Sequence, residues 1–126
     1  MLGLAGGVLP DRPRLPLAVP FADPCEPAVI RSPDGKQLLC LMRENARRYN
    51  SLMMLSDDEG RTWSTPVELP ASLTGDRHMP RYSRDGRLVI AFRDMAEGSP
   101  TRGDFVAWVG TYEDIVKGRE GQYRLR

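Results

Sequence analysis

Histidine and cysteine are nearly missing from this chain: its 126 residues hold one histidine, His78, and two cysteines, Cys25 and Cys40. Neither their number nor their spacing makes a metal-ligand set, so no metal is expected. A single possible cysteine pair is too little to assign a redox compartment, and both thiols read as small buried hydrophobes. An excess of one charge is missing too. Eighteen basic against seventeen acidic residues leave a net charge of +1, which gives no footprint for nucleic acid or an anionic membrane. Long apolar runs are also absent. Residues 2–9 are apolar, but no Lys or Arg precedes them, and prolines at 10, 13, 16 and 20 break up the stretch beyond. That segment reads as neither a secretory signal nor a membrane span. Nothing in the sequence asks for a nucleotide or other cofactor.

The chain is rich instead in turn chemistry set between apolar runs. Ala28 to Ile30 is followed by Pro33-Asp34-Gly35-Lys36 and then by Leu38 to Met42, the pattern of an antiparallel hairpin whose glycine takes the positive φ of a tight turn. A fold-back between Asp34 and Gly35 places Glu26 opposite Arg43 at the open end. A polar loop, Glu44 to Tyr49, leads to a third strand over Ser51 to Leu55, a polar turn ending in Trp63, and a short fourth strand over Thr65 to Leu69. Residues 1–24, punctuated by Pro10, Pro13, Pro16, Pro20 and Pro24, read as extended chain or linker with one strand around Leu15 to Val19.

The pattern then recurs. Pro80 to Arg93 repeats strand, Asp-Gly turn, apolar strand and terminal arginine, with Asp85 standing 51 positions after Asp34. The same mirror rule sets His78 opposite Arg93. A loop (Asp94 to Asp104), a strand (Phe105 to Tyr112), a turn region (Glu113 to Gly121) and a last strand (Gln122 to Arg126) complete the second unit. Four-strand repeats of roughly 40 to 50 residues indicate propeller blades. The expected fold is all-β, with four-stranded antiparallel meander blades at 25–70 and 71–126.

Ser56-Asp57-Asp58-Glu59-Gly60-Arg61-Thr62-Trp63 fits the Asp box, Ser-x-Asp-x-Gly-x-Thr-Trp, and so resembles the signature of the sialidase (neuraminidase) superfamily of six-bladed β-propellers. Glu26-Pro27-Ala28-Val29, the Asp-Gly turn and Leu41-Met42-Arg43 resemble the stretch that carries that family's catalytic glutamate and one arginine of its carboxylate-binding triad. Together the resemblance covers about residues 23–126. It implies an exo-glycosidase releasing a terminal sialic acid or related acidic sugar with retention; the other class in play is a non-catalytic Asp-box propeller that binds glycans or proteins.

Within the box, Ser56 and Asp58 can bond turn N–H groups, Gly60 supplies permissive φ, and Thr62 and Trp63 complete a folding staple, with Trp63 plugging a gap between sheets. In a four-strand meander this turn shares an end with Asp34-Gly35, leaving Glu26, Arg43, Arg77, His78 and Arg93 at the opposite rim. The resemblance makes Glu26 the base that takes a proton from a tyrosine nucleophile; a solvated carboxylate held by Arg43 is the other reading. Arg43 and Arg93 suit a substrate carboxylate, because a guanidinium donates paired bonds and keeps its proton; surface ion pairing is the competing role. Arg77 and His78 are possible substrate contacts, with His78 equally able to donate to a backbone carbonyl. Asp76, Arg47, Arg48 and Asp94 share the rim by position only. The family's acid/base aspartate and nucleophilic tyrosine have no counterpart motif here, and the second unit lacks a box, so the chain reads as about two blades of a longer propeller, inactive alone, whose partners are the remaining blades and a glycan.

Overall fold

The computed structural model describes residues 22–126; the strand anticipated around Leu15 to Val19 lies outside them. Eight strands form two antiparallel sheets, each with its strands in chain order. The first sheet holds β1 (Pro24–Arg31), β2 (Leu38–Glu44), β3 (Leu52–Ser56) and β4 (Val67–Glu68). The second holds β5 (Gly75–Tyr82), β6 (Leu88–Asp94), β7 (Phe105–Gly110) and β8 (Tyr123–Leu125). A single 3-10 turn, Ala71–Leu73, joins the sheets, and β5 lies against β1 and β2.

Alternation decides which side chains meet. Along β6, Leu88, Ile90 and Phe92 are fully buried while the intervening Val89 and Ala91 are only partly covered, as the two-residue period of a strand requires. Those three, with Val106 and Trp108 of β7, share one core with Leu39, Leu41 and Met53 of the first sheet. The sheets therefore pack face to face. β2 is covered on both sides, because Cys40 and Met42 point the other way into a smaller cluster with Leu52. Its unbroken apolar sequence is the signature of such a strand.

The turn region expected over Glu113 to Gly121 contains a helix, α1 (Tyr112–Val116), which sequence reading missed. Its signal was Thr111-x-x-Asp114: the Thr111 hydroxyl accepts from Asp114 N at 3.1 Å and the Asp114 carboxylate accepts from Thr111 N at 3.0 Å, a reciprocal cap. Tyr112 and Ile115 of this helix enter the shared core. It occupies the place that the Asp box holds in the first unit. Trp63 packs on the Cys40–Met42–Leu52 cluster, on the face of the first sheet opposite the shared core.

Candidate functional site

The hairpin registers move the rim residues relative to their expected pairing. Ala28 faces Leu41 as the fold-back predicts, but Cys25, not Glu26, faces Arg43, because β1 carries an extra residue between Cys25 and Ala28. Glu26 sits in that bulge with φ 54°. Pro27, which has no N–H to give to a ladder, is the sequence signal for it. In the second hairpin Asp76, not His78, faces Arg93. Two displacements add there. The Asp85–Gly86 turn closes with Ser83 N on Arg87 O, one residue tighter than Ser32 N on Gln37 O in the first turn, and a matching bulge lies between Asp76 and Met79 with Arg77 at φ 57°. Glu26 and Arg77 are thus repeat-equivalent residues, 51 positions apart, both in the left-handed conformation that L side chains rarely adopt.

These bulges gather the charges. Arg43 Nη1 donates to Glu26 Oε2 at 3.3 Å, and the backbone N of Arg77 donates to Glu26 Oε1 at 3.3 Å across the two sheets. Asp76 lies at the centre, with 1% of its surface exposed. Arg93 gives it Nη2 at 2.6 Å and Nε at 3.2 Å, Arg47 gives Nη2 at 2.9 and 3.1 Å, and Arg43 Nε stands 4.0 Å away. Burial works to raise the Asp76 pKa, but hydrogen bonds and charge from Arg93 and Arg47 outweigh it and hold the group below the ordinary range. Asp76 is therefore an anion throughout the neutral range. Four guanidiniums (Arg43, Arg47, Arg77, Arg93) against two carboxylates (Glu26, Asp76) leave this cluster at +2. A cluster of that sign favours an anionic ligand.

The neighbouring loops are held by buried acids at equivalent places. Glu44, ending β2, accepts from Ala46 N and Arg48 N at 3.3 and 3.2 Å. Asp94, ending β6, accepts from Ala96 N, Ser99 Oγ, Thr101 Oγ1 and Arg124 Nη2 at 3.0, 2.5, 2.5 and 2.7 Å. Burial again opposes ionisation, and the four donors overcome it, drawing the Asp94 pKa down to about 2. Glu44 fixes the loop that carries Arg47; Asp94 fixes the loop that follows Arg93.

His78 is not a rim contact. It is 3% exposed, stacks on Phe92 at 5.2 Å and places Nε2 2.7 Å from the Leu73 carbonyl. Burial pushes its pKa below the usual value, so the neutral ring donates through Nε2 and closes the turn before β5. The bulge moved this residue off the Arg93 position and into the core. Cys25 is half-buried on the strand facing Arg43, and Cys40 is buried; both are free thiols.

At the opposite end, the Asp box is knitted as a turn. Ser56 Oγ accepts from Gly60 N at 2.9 Å, Asp58 accepts from Thr62 N at 2.8 Å and Thr62 Oγ1 at 2.6 Å, and Trp63 Nε1 donates to Gly60 O at 3.1 Å. The Thr62 hydroxyl and N–H, then Ser56, lower the Asp58 pKa to about 2. Arg31 to Glu59 (2.7 and 2.9 Å) and Gln37 to Asp57 (2.9 Å) tie the box to the Asp34–Gly35 turn. Tyr82 and Tyr112 bind Arg31 O and Gln37 Oε1 across the sheets at this same end. The box and the arginine cluster thus mark opposite ends of the strands. Comparison with family models, with curated proteins and with solved structures gives no significant match.

Proposed function

We propose that the two sheets are neighbouring blades of a sialidase-type six-bladed propeller, and that the rim built on Glu26, Arg43 and Arg93 forms part of an exo-glycosidase site for a terminal acidic sugar. The observation that carries this reading is the meeting of Glu26 with Arg43 at 3.3 Å, at the strand end remote from the Asp box, with Arg93 joined to the same cluster through Asp76. Arg43 and Arg93 hold the substrate carboxylate. That carboxylate lies beside the anomeric carbon and repels an anionic nucleophile, so a neutral phenol is used: Glu26 takes its proton as the phenol oxygen attacks, and an acid on another blade protonates the departing sugar oxygen. Sialidases depart in this way from the two-carboxylate pattern of most glycosidases.

A glycan-binding propeller without catalysis is the second reading. The tyrosines give the first reading no partner for Glu26: the hydroxyls of Tyr82, Tyr112 and Tyr123 are bonded at the turn end, to Arg31 O, Gln37 Oε1 and Arg87, and Tyr49 of the rim loop packs on the Cys40–Met42–Leu52 cluster. A fluorogenic α-sialoside assay on the complete propeller decides between them. Glu26→Gln is expected to lower turnover about 100-fold or more, while Asp58→Asn that still folds keeps it. Equal turnover in Glu26→Gln removes the catalytic assignment, and sialoside binding with no turnover in the parent protein leaves the binding reading.

A further inference from the structure

Two left-handed residues meet across the sheets, and only one of them has a reason in its side chain. Glu26 (φ 54°) and Arg77 (φ 57°) stand in equivalent bulges of their hairpins. Neither is a glycine, so each carries backbone strain. Glu26 meets Arg43, but the Arg77 side chain is 79% exposed and its Nε stands 3.8 Å from Glu26 Oε2, beyond hydrogen-bond range. What Arg77 gives is its main chain: its N–H donates to Glu26 Oε1 at 3.3 Å. The bulge makes this possible. Arg77 and His78 together oppose Phe92, and the extra residue of a bulge is left out of the ladder, free to donate elsewhere. The residues on either side hold the conformation. Asp76 is fixed by Arg93 and Arg47, and His78 is buried on Phe92 with Nε2 at the Leu73 carbonyl. Strain that persists because its surroundings over-determine it points to a function for the strained residue.

We propose that the bulge at Arg77 is a positioning device for Glu26, in which a main-chain N–H of the second sheet, and not the arginine side chain, holds the carboxylate for proton transfer. Arg43 Nη1 binds one oxygen and Arg77 N the other. Among the described residues these two bonds fill two of the roughly four lone-pair sites of the carboxylate, which restrains its rotation and leaves sites open for the phenol proton. The inference rests on the exo-glycosidase reading of the rim and adds to it that the base is supplied by one sheet and aimed by the other. Both sheets are therefore needed for a competent base, although Glu26 and Arg43 lie on the same hairpin.

Steady-state kinetics of the complete propeller on a fluorogenic α-sialoside, and proton–nitrogen NMR of the 126-residue chain, test this. Arg77→Gly keeps the N–H and takes positive φ without strain, so kcat is expected to stay within about twofold of the parent. Arg77→Val removes the same charge but resists positive φ. Its kcat is expected to fall about tenfold or more while KM changes less than about twofold, because a displaced base slows the chemistry without loosening the substrate. In the parent chain the Arg77 amide proton should shift as the pH is lowered through the carboxylate range, and Glu26→Gln should abolish that shift. Equal loss of kcat in Arg77→Gly and Arg77→Val assigns the effect to the side chain and overturns the inference. So does a rise in KM with kcat kept in Arg77→Val, or an amide shift that survives Glu26→Gln. Where Arg77→Val does not fold, the amide titration decides. A harmless Arg77→Val in an active parent defeats the positioning role alone; a parent without turnover whose Arg77 amide still reports Glu26 defeats the exo-glycosidase reading, and the catalytic role with it.

Discussion

Replacing Phe92 by alanine tests whether the two sheets are one folded unit. Phe92 has no exposed surface and sits in the cluster that β6 and β7 share with Leu39, Leu41 and Met53 of the other sheet. Removing a buried phenylalanine side chain costs about 3–5 kcal/mol through lost transfer energy and the cavity left behind. The ring also stacks on His78 at 5.2 Å and lies under the Arg124 guanidinium at 5.8 Å, contacts that add about 1 kcal/mol. A total of about 5 kcal/mol is a large share of the roughly 5–15 kcal/mol that holds a domain together. With a urea dependence of about 2 kcal/mol per molar, the midpoint moves down by about 2.5 M. Equilibrium unfolding followed by the fluorescence of Trp63 and Trp108 measures it. Leu125→Ala is the control. Leu125 is 55% exposed on the open face of the second sheet, in register with Ala107, and its loss costs under about 1 kcal/mol. Should Phe92→Ala do no more harm than Leu125→Ala, the sheets do not share a core and the cross-sheet site cannot be sound. If the alanine variant does not fold at all, Phe92→Leu, which keeps most of the volume, serves with a smaller shift in the same direction.

Local geometry gives two more outcomes. Asp58 and Asp94 titrate at about 2 in the folded chain against about 3.9 for an unfolded aspartate; their stabilisation is therefore complete above about pH 4 and is lost as the pH falls toward about 2. Melting temperature should drop over that window, and Asp94→Asn should melt lower at neutral pH yet decline less steeply in acid; a parent melting curve unchanged between about pH 5 and pH 2 refutes this. Gly75→Ala should destabilise by about 1–3 kcal/mol or more, because an added Cβ would stand 1.9 Å from the carbonyl oxygen of Arg93, backbone that moves only if the β5–β6 ladder opens. An unaltered melting temperature would show that the strands do not approach as closely as described.

Residue pattern alone was enough to set the strands and their order. Period-two apolar runs broken by Asp-Gly turns leave a chain few options besides a meander, and the 51-residue echo of Asp34 in Asp85 made the second sheet a repeat of the first. It was enough, too, to place Glu26 and Arg43 at one end, away from Ser56 to Trp63, since strand direction dictates this. Thr111 and Asp114 announced a helix whose cap went unread, because a five-residue helix has too few turns to show a period. The way the ends of β1 and β5 meet their partners, by contrast, was settled only in three dimensions. One extra residue in each bulge, and one fewer in the second turn, took His78 from the rim to the core and set Asp76 against Arg93. Apolar patterning carries no information there, because the residues concerned are polar and the register depends on a bulge in each hairpin and on how tightly each turn closes. Arg47 and Asp76 were placed on the rim by position, but their pairing was not legible, because the two residues belong to different sheets.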